Sequence, residues 1–306
     1  MINEKIAHSS SANRIYNWND IRHDIVEETP KETDFIDIYG EKSVQNDLDR
    51  VKRIRLENGI TEPDGITESK IQEYATAQEI GEADWFMEEK RAASLFPDDR
   101  GQQTAVFLTS DFDDYVNHVD AVAFMVNAES DLRTVTFALD ITYNTKDDKL
   151  DQKFGWKHPN LKRSGLATVK YFEDTFTHSG PIIRKGRIFA LPRFVIGFSP
   201  DLSHEITESR MTSSGWGSLS RAEYSTKAKW CVLKELELQS EQMLSALESQ
   251  KDSRDYQKLY QDIASLNKYF AGAIAASSEA DTAHPDWQSY PERDEVFRAI
   301  ISRKIM

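Results

Sequence analysis

Two short runs constrain this chain more than any other feature. They read Val119-Asp120-Ala121-Val122-Ala123-Phe124-Met125 and Thr134-Val135-Thr136-Phe137-Ala138-Leu139-Asp140-Ile141-Thr142. Both are apolar and rich in β-branched and aromatic residues, as strands of a sheet core are, and each carries one aspartate. An ionised carboxylate in such a run is costly unless it is paired or bound to a cation. Asp120 and Asp140 therefore demand partners. In the second run the two-residue period places Thr136, Ala138, Asp140 and Thr142 on one face and Phe137, Leu139 and Ile141 on the other. The first of these faces is small and polar, as a site would be.

The flanking sequence supplies the other elements. Ser43 is placed to cap a helix carrying Val44, Leu48, Val51 and Arg55 that stops at Asn58-Gly59. After the turn Pro63-Asp64-Gly65, a helical pattern runs over residues 67–95 and ends before Pro97. Ile71, Tyr74, Gln78, Trp85, Ala92 and Phe96 share a narrow arc on it, with Glu88 and Glu89 on its flanks. Either one glutamate points toward the sheet or both lie at the solvent boundary, where Glu is common.

Residues 105–108 read as a short strand, and residues 167–172 and 193–198 as two further strands of the buried kind. Asp111, Asp113 and Asp114 form an acidic turn, and a cap or Asx-turn is a more common role for any one of them than metal binding. Leu150, Phe154 and Leu161 indicate a short helix interrupted or ended by Pro159 and Gly165. Beyond residue 221 two apolar stripes, Trp230 to Leu247 and Tyr256 to Phe270, predict an antiparallel helical hairpin. It either packs on its own chain or meets a protein partner. The expected fold is α+β, a central mixed β-sheet flanked by helices with a C-terminal helical hairpin. It divides into a flexible or loosely docked polar arm over 1–42, an α/β core over 43–220, and a helical hairpin with a C-terminal helix packed on that core over 221–306.

Charge narrows the functional classes. A net charge of −14 argues against a protein that coats nucleic acid non-specifically, since that affinity comes from neutralising phosphates. Yet between Lys146 and Arg193 there are eleven basic residues against five acidic ones, so the basic part of an acidic protein directly follows the two aspartate-bearing strands. The single cysteine, Cys231, excludes an internal disulfide and gives no zinc-ligand spacing. The apolar runs are too short or too interrupted to cross a bilayer, and the opening residues lack the pattern of a secretory signal, so a reducing cytoplasm is expected. His118, His158, His178 and His204 are scattered without metal-ligand spacing. Residues 213–218 have neither a phosphate-loop lysine nor a nucleophile-elbow pattern.

A strand bearing Asp120, a second bearing Asp140 some twenty residues later, a basic helix and then an apolar strand together resemble the PD-(D/E)XK nuclease-like superfamily over roughly residues 67–198. The resemblance implies Mg²⁺ held by Asp120 and Asp140, with Glu88 or Glu89 as the helix-borne ligand and nucleic acid as substrate. In that family a lysine two residues past the second acid assists the attacking water. Here Thr142 stands at that place, so the resemblance implies a lysine from the next helix, Lys153 first and Lys149 or Lys146 in reserve. Lys157, Lys162, Arg163, Arg184, Lys185 and Arg187 would then meet the phosphates. An inactive relative that keeps the fold and serves as a protein-binding module through residues 221–276 is the alternative.

Overall fold

The computed structural model describes residues 18–62, 64–82, 104–127, 133–154, 166–174, 184–211, 219–254, 256–280 and 285–303. The architecture is α+β. Five strands, β1 (Thr104–Leu108), β2 (Ala121–Asn127), β3 (Arg133–Thr142), β4 (Leu166–Asp174) and β5 (Arg184–Gly197), form one mixed sheet in the order β1-β2-β3-β5-β4. The first three make an antiparallel meander, β5 runs parallel to β3, and β4 closes the far edge antiparallel to β5. Parallel pairing of β3 with β5 requires a long crossover. The chain makes it through a short helix, α6 (Asp147–Lys153), and then β4.

Alternation along β3 sorts its residues as its sequence implies. Phe137, Leu139 and Ile141 enter the largest core with Phe194, Ile196 and Phe198 of β5. That core is covered by α8 (Leu219–Leu247) and α9 (Gln257–Ala280), which contribute Leu233, Leu236, Ile263, Leu266 and Phe270. Phe137, Phe194 and Phe270 meet edge to face with centroids 5.5–5.8 Å apart. The apolar stripes of the helical hairpin are thus spent on this chain's own sheet. On the opposite face Val122, Phe124, Ala138, Val169, Phe172 and Leu191 form a second core.

Among the described residues β4 pairs with β5 as far as Leu166 opposite Pro192, and beyond that point the backbone of β5 finds partners on a helix. Helix α8 supplies them. Gln239 accepts from Val195 N at 3.0 Å and donates to Val195 O at 2.7 Å, and Glu235 accepts from Gly197 N at 2.9 Å. Gly197 lies against β3 so closely that a Cβ there would sit 1.9 Å from Thr142 O.

The N-terminal elements pack against the other end of the sheet. Residues 18–39, expected as part of an arm, form α1 (Trp18–Glu28), a 3-10 turn (Glu32–Phe35) and α2 (Ile36–Tyr39), which bury Ile21, Ile25 and Phe35. Helix α3 (Glu41–Glu57) begins at Gly40 rather than at Ser43, and ends at Asn58 with Gly59 at φ +69°. The left-handed conformation that glycine tolerates places this stop where the sequence puts it. Helix α4 (Glu68–Glu82) starts after Thr67, whose hydroxyl accepts from Lys70 N at 3.2 Å. Its expected continuation to residue 95, with Glu88 and Glu89, lies outside the described residues. Helix α5 (Asp111–Asn117) links β1 to β2. Helices α7 (Pro200–Met211), α10 (Pro285–Gln288) and α11 (Glu295–Ile301) complete the fold. No helix among the described residues is long and apolar enough to cross a membrane.

Candidate metal centre

The elements that converge on Asp120 are the N-terminal half of α4, the first turn of α5 and the start of β2. Asp120 immediately precedes β2 and extends its ladder, donating from its amide to Leu139 O at 2.9 Å. Its carboxylate turns back to β3 and accepts from Ile141 N at 2.6 Å. One such bond occupies only part of what a carboxylate offers, about four lone-pair sites. Asp114 is set in the first turn of α5, whose N-cap Ser110 accepts from Asp113 N at 3.2 Å. Glu73 comes from α4. Glu73, Asp114 and Asp120 each offer an oxygen within 4.8 Å of the others.

Three carboxylates at that distance repel one another. Burial first, then the neighbouring Asp114, push Glu73 up to about 8. Burial, then Glu73, hold Asp120 well above the usual carboxylate range. Two lysines partly offset the charge. Lys70 is ion-paired with Asp111 and with Asp114, the latter at 3.1 Å, and these two carboxylates more than offset the burial that would lower its ammonium. Lys153 is ion-paired with Asp140 and donates to Ile141 O at 2.9 Å; Asp140 and Asp120 hold it above the ordinary lysine value despite its burial.

Asp140 has a different setting from Asp120. It is fully buried and clasped by two cations, Lys153 and Arg193, with Arg193 Nη2 donating to Oδ2 at 2.8 Å. Arg193 also donates to the carbonyl of Lys153. Asp140, Lys153 and Arg193 thus form one clamp that holds the end of α6 against β3 and β5. The carboxylate that gathers a cluster is Asp120, and its companions are Glu73 and Asp114. Asp140 reaches this centre through Lys153, whose charge acts on Asp120, Asp140 and Glu73 alike.

The other residues singled out in the sequence fall elsewhere. Lys146 and Lys149 are exposed near the start of α6. Lys157, Lys162, Arg163, Glu88 and Glu89 lie outside the described residues, and Arg184 begins β5. Lys185 and Arg187 are exposed on that strand. Thr142 is buried beside Gly197. His118 ends α5 in the left-handed region, half-buried, and burial lowers its imidazole despite the opposing charge of Asp140.

Sequence reasoning missed Glu73. The arc of Ile71 and Tyr74 faces a small core with Ile21, Ile25 and Ile66, and Glu73 lies off it. A second stripe, Glu73, Thr76, Ala77 and Ile80, faces the sheet: Ala77 and Ile80 enter the main core, and Thr76 meets Tyr143 OH at 2.8 Å. That i, i+3, i+4, i+7 spacing was the available signal. For Asp114 the sequence favours a cap or Asx-turn over metal binding; the cap is Ser110, and Asp114 lies with Glu73 and Asp120. Asp113 instead is fully buried and accepts from Lys170 N at 2.7 Å and Tyr171 N at 2.8 Å, tying α5 to β4.

The three-acid donor set suits a hard divalent cation. At Mg–O distances near 2.1 Å neighbouring octahedral ligands stand about 3.0 Å apart, and three oxygens spread evenly around a Ca²⁺ at about 2.4 Å stand about 4.2 Å apart. At the 4.8 Å limit the three carboxylates draw together by about half an ångström to hold Ca²⁺ and by more than that to hold Mg²⁺. The chain matches no protein-family model, no curated protein and no solved structure.

Proposed function

We propose that this chain is a divalent-cation-dependent phosphodiesterase acting on nucleic acid, with Glu73, Asp114 and Asp120 as the metal-holding carboxylates and Lys153 as the catalytic cation beside them. The observation that carries this reading is the placement of those three acids within 4.8 Å of one another, at a cost in ionisation that a bound cation would relieve. The PD-(D/E)XK resemblance supplies the reaction class and remains part of the proposal.

Bound there, Mg²⁺ would supply Lewis-acid stabilisation of a phosphate oxygen and a water more acidic than bulk. The protein's own contribution is positional. Ile141 N orients the Asp120 carboxylate. The Asp140–Arg193 clamp orients Lys153, two of whose three ammonium donors go to Asp140 and Ile141 O. Asp120 and Glu73 also act on the charge of this ammonium, which suits the group to a phosphate oxygen or to the attacking water. Lysine comes from α6 rather than from the position of Thr142, the departure that the resemblance anticipates.

The alternative, a non-catalytic scaffold docking through residues 221–276, draws less support because the apolar stripes there are buried in the chain's own core. The discriminating experiment is incubation of DNA and RNA with the purified protein in Mg²⁺, Mn²⁺ or EDTA, beside Asp120→Asn. Cleavage that needs the cation and falls roughly a hundredfold or more in the variant is expected. Absence of cation-dependent cleavage, or equal cleavage by the variant, overturns the proposal.

A further inference from the structure

The β4–β5 ribbon carries a feature that packing does not explain. Between Ala167↔Leu191 and Val169↔Ile188, two steps along β4 oppose three along β5, so β5 holds one extra residue. The bulge is built at Ala190, a non-glycine residue at φ +56°. Its consequence is specific. Ile188 and Leu191 both turn into the same core, and Phe189 is turned out to solvent, 64% exposed. A strained backbone that exposes a phenylalanine, where regular alternation would bury it, points to use of that ring.

The neighbours of Phe189 are cationic and pre-set. Arg187 lies two residues away on the same face, its Cζ 5.3 Å from the Phe189 ring centroid and 5.8 Å from that of Tyr39. Tyr39 is itself fixed, donating to Lys170 O at 2.8 Å and packing edge-on against Tyr171. Lys185, one step further, sits 4.9 Å above the Phe35 ring with Glu173 at 4.0 Å. In the other direction β5 reaches Arg193, part of the clamp that orients Lys153, four residues or at most about 14 Å from Phe189. One strand thus joins an exposed row of two cations and an aromatic ring to the candidate metal centre.

We infer that the outer face of the β4–β5 ribbon, at Lys185, Arg187 and Phe189, binds single-stranded nucleic acid, with Phe189 stacking on an unpaired base and Arg187 and Lys185 meeting phosphates. A flat apolar ring beside cations, within an acidic molecule, complements a polymer that offers exposed bases and anions together. A duplex offers its anions and hides its base faces. The inference takes its choice of polymer from the phosphodiesterase reading, and binding measured in EDTA is separate from cleavage, so that the two fail independently.

The test uses the full chain with Asp120→Asn in EDTA, titrated into labelled oligothymidylate and into a duplex of equal length, with binding read by fluorescence anisotropy. Tighter binding to the single strand is expected, and Phe189→Ala should weaken it roughly tenfold while Phe189→Trp retains it. Arg187→Gln should reduce the salt dependence of log K by about 0.7. Unchanged melting of Phe189→Ala would confirm that the exposed ring is not a packing residue. Equal affinity of Phe189→Ala and its parent, preference for the duplex, or no binding to either polymer would overturn the inference.

Discussion

Replacing Glu73 by glutamine is expected to stabilise the cation-free protein near pH 8 and to leave it unchanged near pH 5. Glu73 is pushed from 4.5 up to about 8 in the folded chain, by burial and then by Asp114. A carboxyl raised in this way contributes stability in full below about pH 4.5. That contribution is lost as the pH rises toward about 8, because the unfolded chain sheds the proton first. At about 1.4 kcal/mol per unit, a window of about 3.5 units is worth roughly 5 kcal/mol. Asp120 is raised alongside it and Lys153 opposes both, so the share that returns on neutralising Glu73 alone is about 1–3 kcal/mol. For a chain of this size that is a rise of roughly 2–6 °C in Tm. Thermal melts of wild type and Glu73→Gln in EDTA, at about pH 5 and pH 8, measure it. The same melts in Mg²⁺ should erase the wild-type loss at high pH, since the cation stabilises the ionised carboxylates. Parallel pH dependences of the two proteins in EDTA would refute the mutual repulsion on which the metal centre rests.

Other outcomes follow from the same geometry. Asp140→Asn should lose about 3–5 kcal/mol in urea unfolding, because it leaves Lys153 and Arg193 without the buried carboxylate they share. The catalytic test therefore belongs on Asp120. Gly197→Ala should cost about 3 kcal/mol or more, since its Cβ would meet the backbone oxygen of Thr142; an unchanged unfolding midpoint would contradict the close β3–β5 approach.

Several elements were legible in the residues alone because their causes are local. The alternation of Thr134 to Thr142 sorted its two faces correctly, since in a strand each side chain's direction follows from its neighbours. The helical hairpin was legible for the same reason. The N-terminal helices were not readable, because α1 and α2 are too short to be stable alone and owe their order to docking of Ile21, Ile25 and Phe35 against distant parts of the chain.

By itself the sequence determined that two aspartates would lie in or at the end of core strands and would need partners or a cation, because solvation cost attaches to residue type and strand pattern. Tertiary structure alone decided how each would be met. Asp140 found Lys153 and Arg193, thirteen and fifty-three residues on in the chain. Asp120 found Glu73 and Asp114, which no strand pattern relates to it. The choice between neutralising an acid and gathering more acids around it rests on which helix ends meet the strand ends. That is set by packing of α4, α5 and α6 on the sheet, a property of the whole fold.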